Sequence, residues 1–258
     1  MTREDDDATI ILVTPVWKDS KRLAVYGDEL ARELARRNSN IRWVIADDGS
    51  GPEEAERLQE QLETYRAIYP HVSLHLAAGH HGKGAVVREA WGLFPDAAWL
   101  SFADADGSVN APDMLDLIAD ALHSGESTLG VRVTTDSTRV QEGFFRGIRH
   151  RGFLLAVRVL LGFRTLDTQC GAKVIRGGDF RAVASRLVEP GWAFDAEMLA
   201  ELYAAGHTWR ERPVNWVEKG ASRIRPWMDS ITMLLSLIRI RRRLGQRQAR
   251  PEGLPNTG

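Results

Sequence analysis

One cysteine, Cys170, stands in 258 residues. That excludes an intrachain disulfide framework and any multi-cysteine zinc site, and it suits a reducing compartment. Long apolar runs are lacking too: the best candidate for a bilayer span, FLLAVRVLLGF, is short and contains Arg158. Neither sign of charge dominates, since 34 Lys and Arg face 35 Asp and Glu for a formal net charge of -1, and no attraction of the whole molecule to nucleic acid is indicated. The acidic start, MTREDDDAT, does not resemble a secretory signal. No GxGxxG follows the first strand-like segment, which argues against a dinucleotide oxidoreductase, and the spacing of a P-loop is missing.

The first half alternates two periodicities. TIILVTPV reads as a strand, residues 20–37 as a helix, IRWVIA as a strand and residues 52–68 as a helix. VSLHLA, a helix from about Lys83 to Leu93, and AAWLSFA repeat the pattern. Such alternation implies an α/β architecture, a mostly parallel central sheet with helices on both faces. In the second half, residues 141–162 and 195–205 read as helices and TWRERPVNW as an added strand. After Pro226, the residues Trp227, Ile231, Leu234, Leu235 and Ile238 fall at helical spacing on an amphipathic helix with a cationic end.

Chemistry-bearing residues collect at the carboxyl ends of the strands, where open α/β sheets bind ligands. The first strand ends in TPVWKDS, where Pro15 bends the chain and Trp17 offers a ring for stacking on a base. The second ends in ADDGS, so Asp47 and Asp48 are placed to accept hydrogen bonds from a base or a ribose. AWLSFADADGS runs a buried strand into Asp104, Ala105 and Asp106. Two carboxylates one residue apart repel unless a cation lies between them, which suits Mg2+ or Mn2+ held together with a phosphate. Taken singly, each of these turns reads equally well as a capped or solvated turn. In HHGKGAVVRE, Gly82 and Gly84 flank Lys83 at a helix start, a sensible phosphate site. His80 and His81 read as ordinary loop histidines, with no third metal ligand at useful spacing.

The order TPVWKDS, ADDGS, GKGAVVREA, DADGS resembles the GT-A family 2 glycosyltransferases. DTQCGAKVI, GWAFDAEML and PVNWVEKGASRIRPW narrow the likeness to the dolichyl-phosphate glucosyltransferase and polyprenyl-phosphate mannosyltransferase branch, from about Ile10 to Leu244. The resemblance implies a Rossmann-like GT-A fold and an inverting, metal-dependent hexosyltransferase. Such an enzyme would move glucose from UDP-glucose, in preference to mannose from GDP-mannose, to a polyprenyl or dolichyl phosphate. Pro15, Val16, Trp17, Asp47, Asp48, Lys83, Asp104, Ala105, Asp106 and Arg223 would bind the donor, with Asp104 and Asp106 on Mg2+ or Mn2+. Arg132 and Arg146 would take the acceptor phosphate, and Asp195, Gln169 and Asp106 would stand at the reacting sugar. Two departures from the family pattern are plain: Lys18 and Asp19 replace an Asn-Glu, and the histidine pair replaces an Asn before the Gly-Lys-Gly turn.

The expected organisation is a catalytic domain over 9–222, an amphipathic helix over 223–245 and a disordered tail over 246–258. Clustered arginines with aliphatic faces in 146–163 and 227–244 suggest a peripheral protein on the inner face of the cytoplasmic membrane. Self-association into an oligomer is compatible with the sequence. Competing readings are a transferase with a soluble or glycan acceptor, a nucleotidyltransferase, and a non-catalytic nucleotide-binding membrane protein.

Overall fold

The computed structural model describes residues 9–141, 143–219 and 226–248. The chain runs β1 (Ile10–Val16), α1 (Ser20–Arg36), β2 (Ile41–Asp47), α2 (Pro52–Ile68), β3 (Val72–Leu76), α3 (Lys83–Gly92), β4 (Trp99–Ala103), α4 (Ala111–Ser124) and β5 (Thr128–Val131). It continues through β6 (Val140–Gln141), α5 (Phe144–Leu161), β7 (Ala172–Arg176), α6 (Gly177–Val183), α7 (Phe194–Ala204), β8 (Arg210–Pro213), β9 (Trp216–Val217) and α8 (Pro226–Gln248).

A seven-stranded sheet has the order β3-β2-β1-β4-β7-β5-β8. Strands β1, β2, β3 and β4 are parallel, β7 lies antiparallel between β4 and β5, and β8 runs parallel to β5. Every residue of β1 is buried, and its side chains alternate between two cores. Ile10 and Leu12 join Leu23 and Leu30 of α1, Leu58 of α2 and Leu117 of α4. Ile11 and Val13 join Val87 of α3, Phe180 of α6, Leu199 of α7 and Leu237 of α8. A strand covered on both faces must be apolar at successive positions, which is why TIILVTPV lacks the polar alternation of a half-exposed strand. Each such side chain contributes roughly 1.5–3 kcal/mol of burial.

The expected α/β architecture is present. Not foreseen were α4, β5, β6, β7 and α6. β7 was hidden because its five residues, AKVIR, break an apolar run with Lys173 and cross the sheet against the parallel pattern. On α8 the expected seam faces outward: Met233, Leu237, Ile240 and Leu244 are buried, while Ile231, Leu234 and Leu235 are exposed. Helical geometry supports both stripes, at spacings of three and four residues; packing against α5 and α7 selects the first. The helix continues to Gln248, three residues into the stretch expected as tail. Among the described residues no helix is long and apolar enough to cross a membrane.

Candidate functional site

At the joint edge of β1 and β2, Pro15 and Val16 are buried strand residues and Trp17 emerges half-exposed. Lys18 follows at φ +50° and donates its backbone N–H to Ser50 Oγ at 2.7 Å. Asp48 is buried and holds the next loop by its carboxylate: Oδ1 accepts the His81 N–H and Oδ2 the Gly82 N–H, each at 2.8 Å. His80 Nδ1 also lies 2.8 Å from Asp48 Oδ2. The His80 ring stacks on Trp17, with centroids 4.1 Å apart and an interplanar angle of 16°. Asp47 Oδ2 accepts the Ser50 N–H at 3.0 Å, whereas its Oδ1 is buried without a hydrogen-bond partner among the described residues.

The carboxyl end of β4 is organised differently. Asp104 and Asp106 flank the buried Ala105. Asp106 Oδ1 accepts the Ser108 N–H at 2.9 Å, and its Oδ2 lies 3.8 Å from Arg22 of α1. Burial, then the neighbouring Asp104 charge, push the Asp106 carboxyl above its usual range. Lys83, at the start of α3, puts its ammonium 2.8 Å from Asp104 Oδ1 and 3.5 Å from Asp195 Oδ2. Burial works against the Lys83 charge, but the two carboxylates more than offset it and its pKa rises. Asp195, buried in the first turn of α7, has a second cation at Oδ1: Lys173 Nζ lies 3.3 Å away, without hydrogen-bond alignment. Lys173 is itself fully buried and donates to the Cys170 carbonyl at 2.6 Å.

Gly171 closes this circuit. Its carbonyl accepts the Asp104 N–H at 2.9 Å, and a Cβ there would stand 2.0 Å from Asp104 Oδ2. No other residue fits without displacing the carboxylate.

Among the described residues no group of three or more His, Cys, Asp and Glu side chains is arranged to bind a metal alone. Two acidic donors nonetheless fit a hard divalent ion that takes its remaining oxygens from phosphate and water. The Tyr26 hydroxyl supports that fit: it is buried without a hydrogen-bond partner among the described residues, and burial, then the charges of Glu29, Asp104 and Asp106, push its pKa up.

The expected acceptor groups are placed less uniformly. Arg132, just beyond β5, forms a bidentate pair with the buried Asp167, Nε at 2.5 Å and Nη2 at 2.9 Å. Its Nη2 also lies 2.9 Å from His150 Nδ1 on α5. Burial resists the Asp167 charge, yet Arg132 beside it holds this carboxyl at about 2. Gln169 Nε2 lies 3.7 Å from Met233 Sδ of α8. Arg146 is in the first turn of α5, but its side chain is outside what the structure describes, and Arg223 lies outside the described residues. Cys170 is fully buried, and burial pushes its thiol up to about 12, which suits packing and not nucleophilic attack.

Glu197 shows why only one acidic residue of the α7 start faces the site. Its Oε2 accepts the Val188 and Glu189 N–H groups, and its Oε1 pairs with Arg243 of α8 at 2.7 Å. Arg239 and Arg247 likewise pair with Glu189 and Glu201. These three arginines of the cationic end therefore bind α8 to its own domain, while Arg241 and Arg242 stay exposed.

Four site residues escaped the sequence reading: Arg22, His80, Gly171 and Lys173. Lys173 carried a signal, a lone cation inside an otherwise apolar strand. Arg22 carried none toward this site, because it pairs with the local Asp19 and reaches Asp106 only through the fold. His80 carried none because the partners of its ring come from elsewhere in the chain. Trp192 is half-exposed, and its ring centroid lies 5.6 Å from Lys83 Nζ.

No protein-family model matches the chain. It is 26% identical over 248 residues to the dolichyl-phosphate beta-glucosyltransferase of Dictyostelium discoideum, covering 92% of this chain and 75% of that protein. The mouse (Mus musculus) protein of the same description is 28% identical over 251 residues, with 90% and 74% covered. Among solved structures, glucosyl-3-phosphoglycerate synthase from Mycobacterium tuberculosis, in complex with Mn2+, uridine-diphosphate and phosphoglyceric acid, superposes with a TM-score of 0.66 at 16% identity, covering 93% of this chain and 80% of that one.

Proposed function

We propose that this chain, whose likenesses support a GT-A glycosyltransferase of family 2, moves glucose from UDP-glucose to a polyprenyl phosphate with inversion at the anomeric carbon. The observation that carries the reading is the convergence of Asp104, Asp106, Lys83 and Asp195 at the end of β4. The names of the relatives support the acceptor and the sugar.

In the reaction an acceptor phosphate oxygen attacks the anomeric carbon, the bond from that carbon to the diphosphate oxygen breaks, and UDP leaves with the electron pair. A phosphate monoester is largely dianionic at neutral pH, since its second pKa is about 6. No strong base is needed to create this nucleophile. A Mg2+ or Mn2+ ion held by Asp104 and Asp106 would supply charge neutralisation for the diphosphate. Lys83 adds a cation beside it, oriented by Asp104 and Asp195. Asp195 lies within ion-pair distance of two lysines, so its role is to orient Lys83 and the sugar. On the acceptor side, Arg132 keeps a fixed position through Asp167, and Arg146 and Arg223 are assigned to the acceptor and donor phosphates by resemblance.

The lipid acceptor accords with the surface of α5 and α8. Ile148, Leu155 and Val159 on α5 and Ile231, Leu234 and Leu235 on α8 are exposed aliphatic residues on two packed helices. This is the surface proposed for peripheral contact with a membrane.

The test supplies UDP-glucose or GDP-mannose with Mg2+ or Mn2+, with a polyprenyl phosphate in detergent or a soluble phosphate monoester, and follows nucleoside diphosphate release. Release from UDP-glucose that requires the lipid is expected. Equal release with the soluble acceptor would replace the lipid reading, and preference for GDP-mannose would replace the donor.

A further inference from the structure

The place expected to receive the donor's base already contains a flat, N–H-bearing ring. His80 lies against Trp17 at 4.1 Å and presents Nδ1 to Asp48 Oδ2 at 2.8 Å. Those are the two contacts that Trp17 and Asp48 would offer to a nucleobase: an aromatic face and a carboxylate acceptor for a ring N–H. Resting on the nucleotide-sugar reading, we propose that His80 is a built-in placeholder in the donor's base slot. The base of the donor displaces it, so this side chain sets how tightly the base is held.

Three features make displacement local. The backbone behind His80 is fixed: a Cβ on Gly49, which sits at φ +65°, would stand 2.3 Å from the Gly79 carbonyl carbon and 2.6 Å from the His80 nitrogen. The two following N–H groups are anchored on Asp48. The imidazole, in contrast, is 47% exposed, so rotation of the side chain into solvent removes it without moving the loop. Asp48 Oδ2 already accepts the Gly82 N–H, and the departure of His80 frees its second lone pair for an incoming ring N–H. Uracil and guanine both carry such a ring N–H, whereas a diphosphate alone does not.

The experiment measures binding of UDP, uridine and inorganic pyrophosphate to the full chain by calorimetry, with Mn2+ present, for the wild type, His80→Ala and His80→Phe. One stacked pair and one exposed hydrogen bond correspond to a gain of about three- to tenfold in affinity when they no longer compete. His80→Ala is therefore expected to bind UDP and uridine about three- to tenfold more tightly, with pyrophosphate unchanged. His80→Phe keeps a ring but loses the N–H and should fall between the wild type and His80→Ala. In the wild type, UDP should raise the rate at which diethyl pyrocarbonate modifies His80, read by mass spectrometry, because the ring swings into solvent.

Unchanged or weaker uridine binding in His80→Ala, or protection of His80 by UDP, would overturn the proposal; the modification experiment needs no variant. Failure of the wild type to bind UDP at all would instead overturn the nucleotide-sugar reading on which it rests.

Discussion

Two carboxylate-bearing strand ends, on either side of β1 in one sheet, use their charge in opposite ways. At the end of β2, Asp48 is bound to the backbone N–H groups of His81 and Gly82, so it shapes a loop. At the end of β4, Asp104 and Asp106 are bordered by the side-chain cations Lys83 and Arg22, and burial and like charge raise Asp106. Backbone donors cannot leave without unfolding the turn, whereas ammonium and guanidinium groups can shift when another cation or a phosphate arrives. The backbone contacts of the first end are architecture, with the His80 side chain as an exchangeable partner, and the second end faces side-chain cations.

Variants that separate stability from turnover test this contrast. The largest effect is expected for Asp106→Ala, which should lower transfer by about 10²–10³-fold, the scale of losing one preorganised electrostatic contact. Its thermal midpoint should stay level or rise, because a partly buried like-charge neighbour of Asp104 is removed. Asp48→Ala should do the reverse in nucleotide-free protein and cost about 2–4 kcal/mol in urea unfolding, since it strands two backbone N–H groups at a buried carboxylate position. If Asp106→Ala were the more destabilising of the two, the contrast would fail.

A smaller effect sharpens the comparison from outside both ends. Arg132 holds the buried Asp167 at about 2, below its ordinary 3.8, so the unfolded chain binds this proton first. The stabilisation is therefore fully present above about pH 4 and is lost as the pH falls through about 2, a contribution of about 2 kcal/mol. Urea midpoints between pH 5 and pH 2 should fall for the wild type and fall less steeply for Asp167→Asn.

The parallel half was readable because its strands are apolar at successive positions and its helices amphipathic. Asp47, Asp48, Asp104, Asp106 and Lys83 could be placed at strand ends and a helix start from local sequence alone. The hidden part depended on distance along the chain. Lys173 and Asp195 meet only after β7 turns antiparallel beside β4, and Arg239, Arg243 and Arg247 look like a solvated stripe until Glu189, Glu197 and Glu201 are brought beneath them. His80 reads as a loop residue in the sequence because its ring's partners, Trp17 and Asp48, lie on two other strand ends. Aliphatic spacing on α8 likewise fitted two faces, and only the packing partner distinguished them.

The most direct test of the central claim is the transfer of labelled glucose from UDP-glucose into an organic-extractable product, with Mn2+, with and without polyprenyl phosphate, for the wild type and Asp106→Ala. The account predicts a labelled glycolipid that requires the lipid and falls by about 10²–10³-fold in the variant, while the variant stays folded. Label that remains water-soluble at the same rate with or without lipid, or a glycolipid formed equally well by Asp106→Ala, would contradict it.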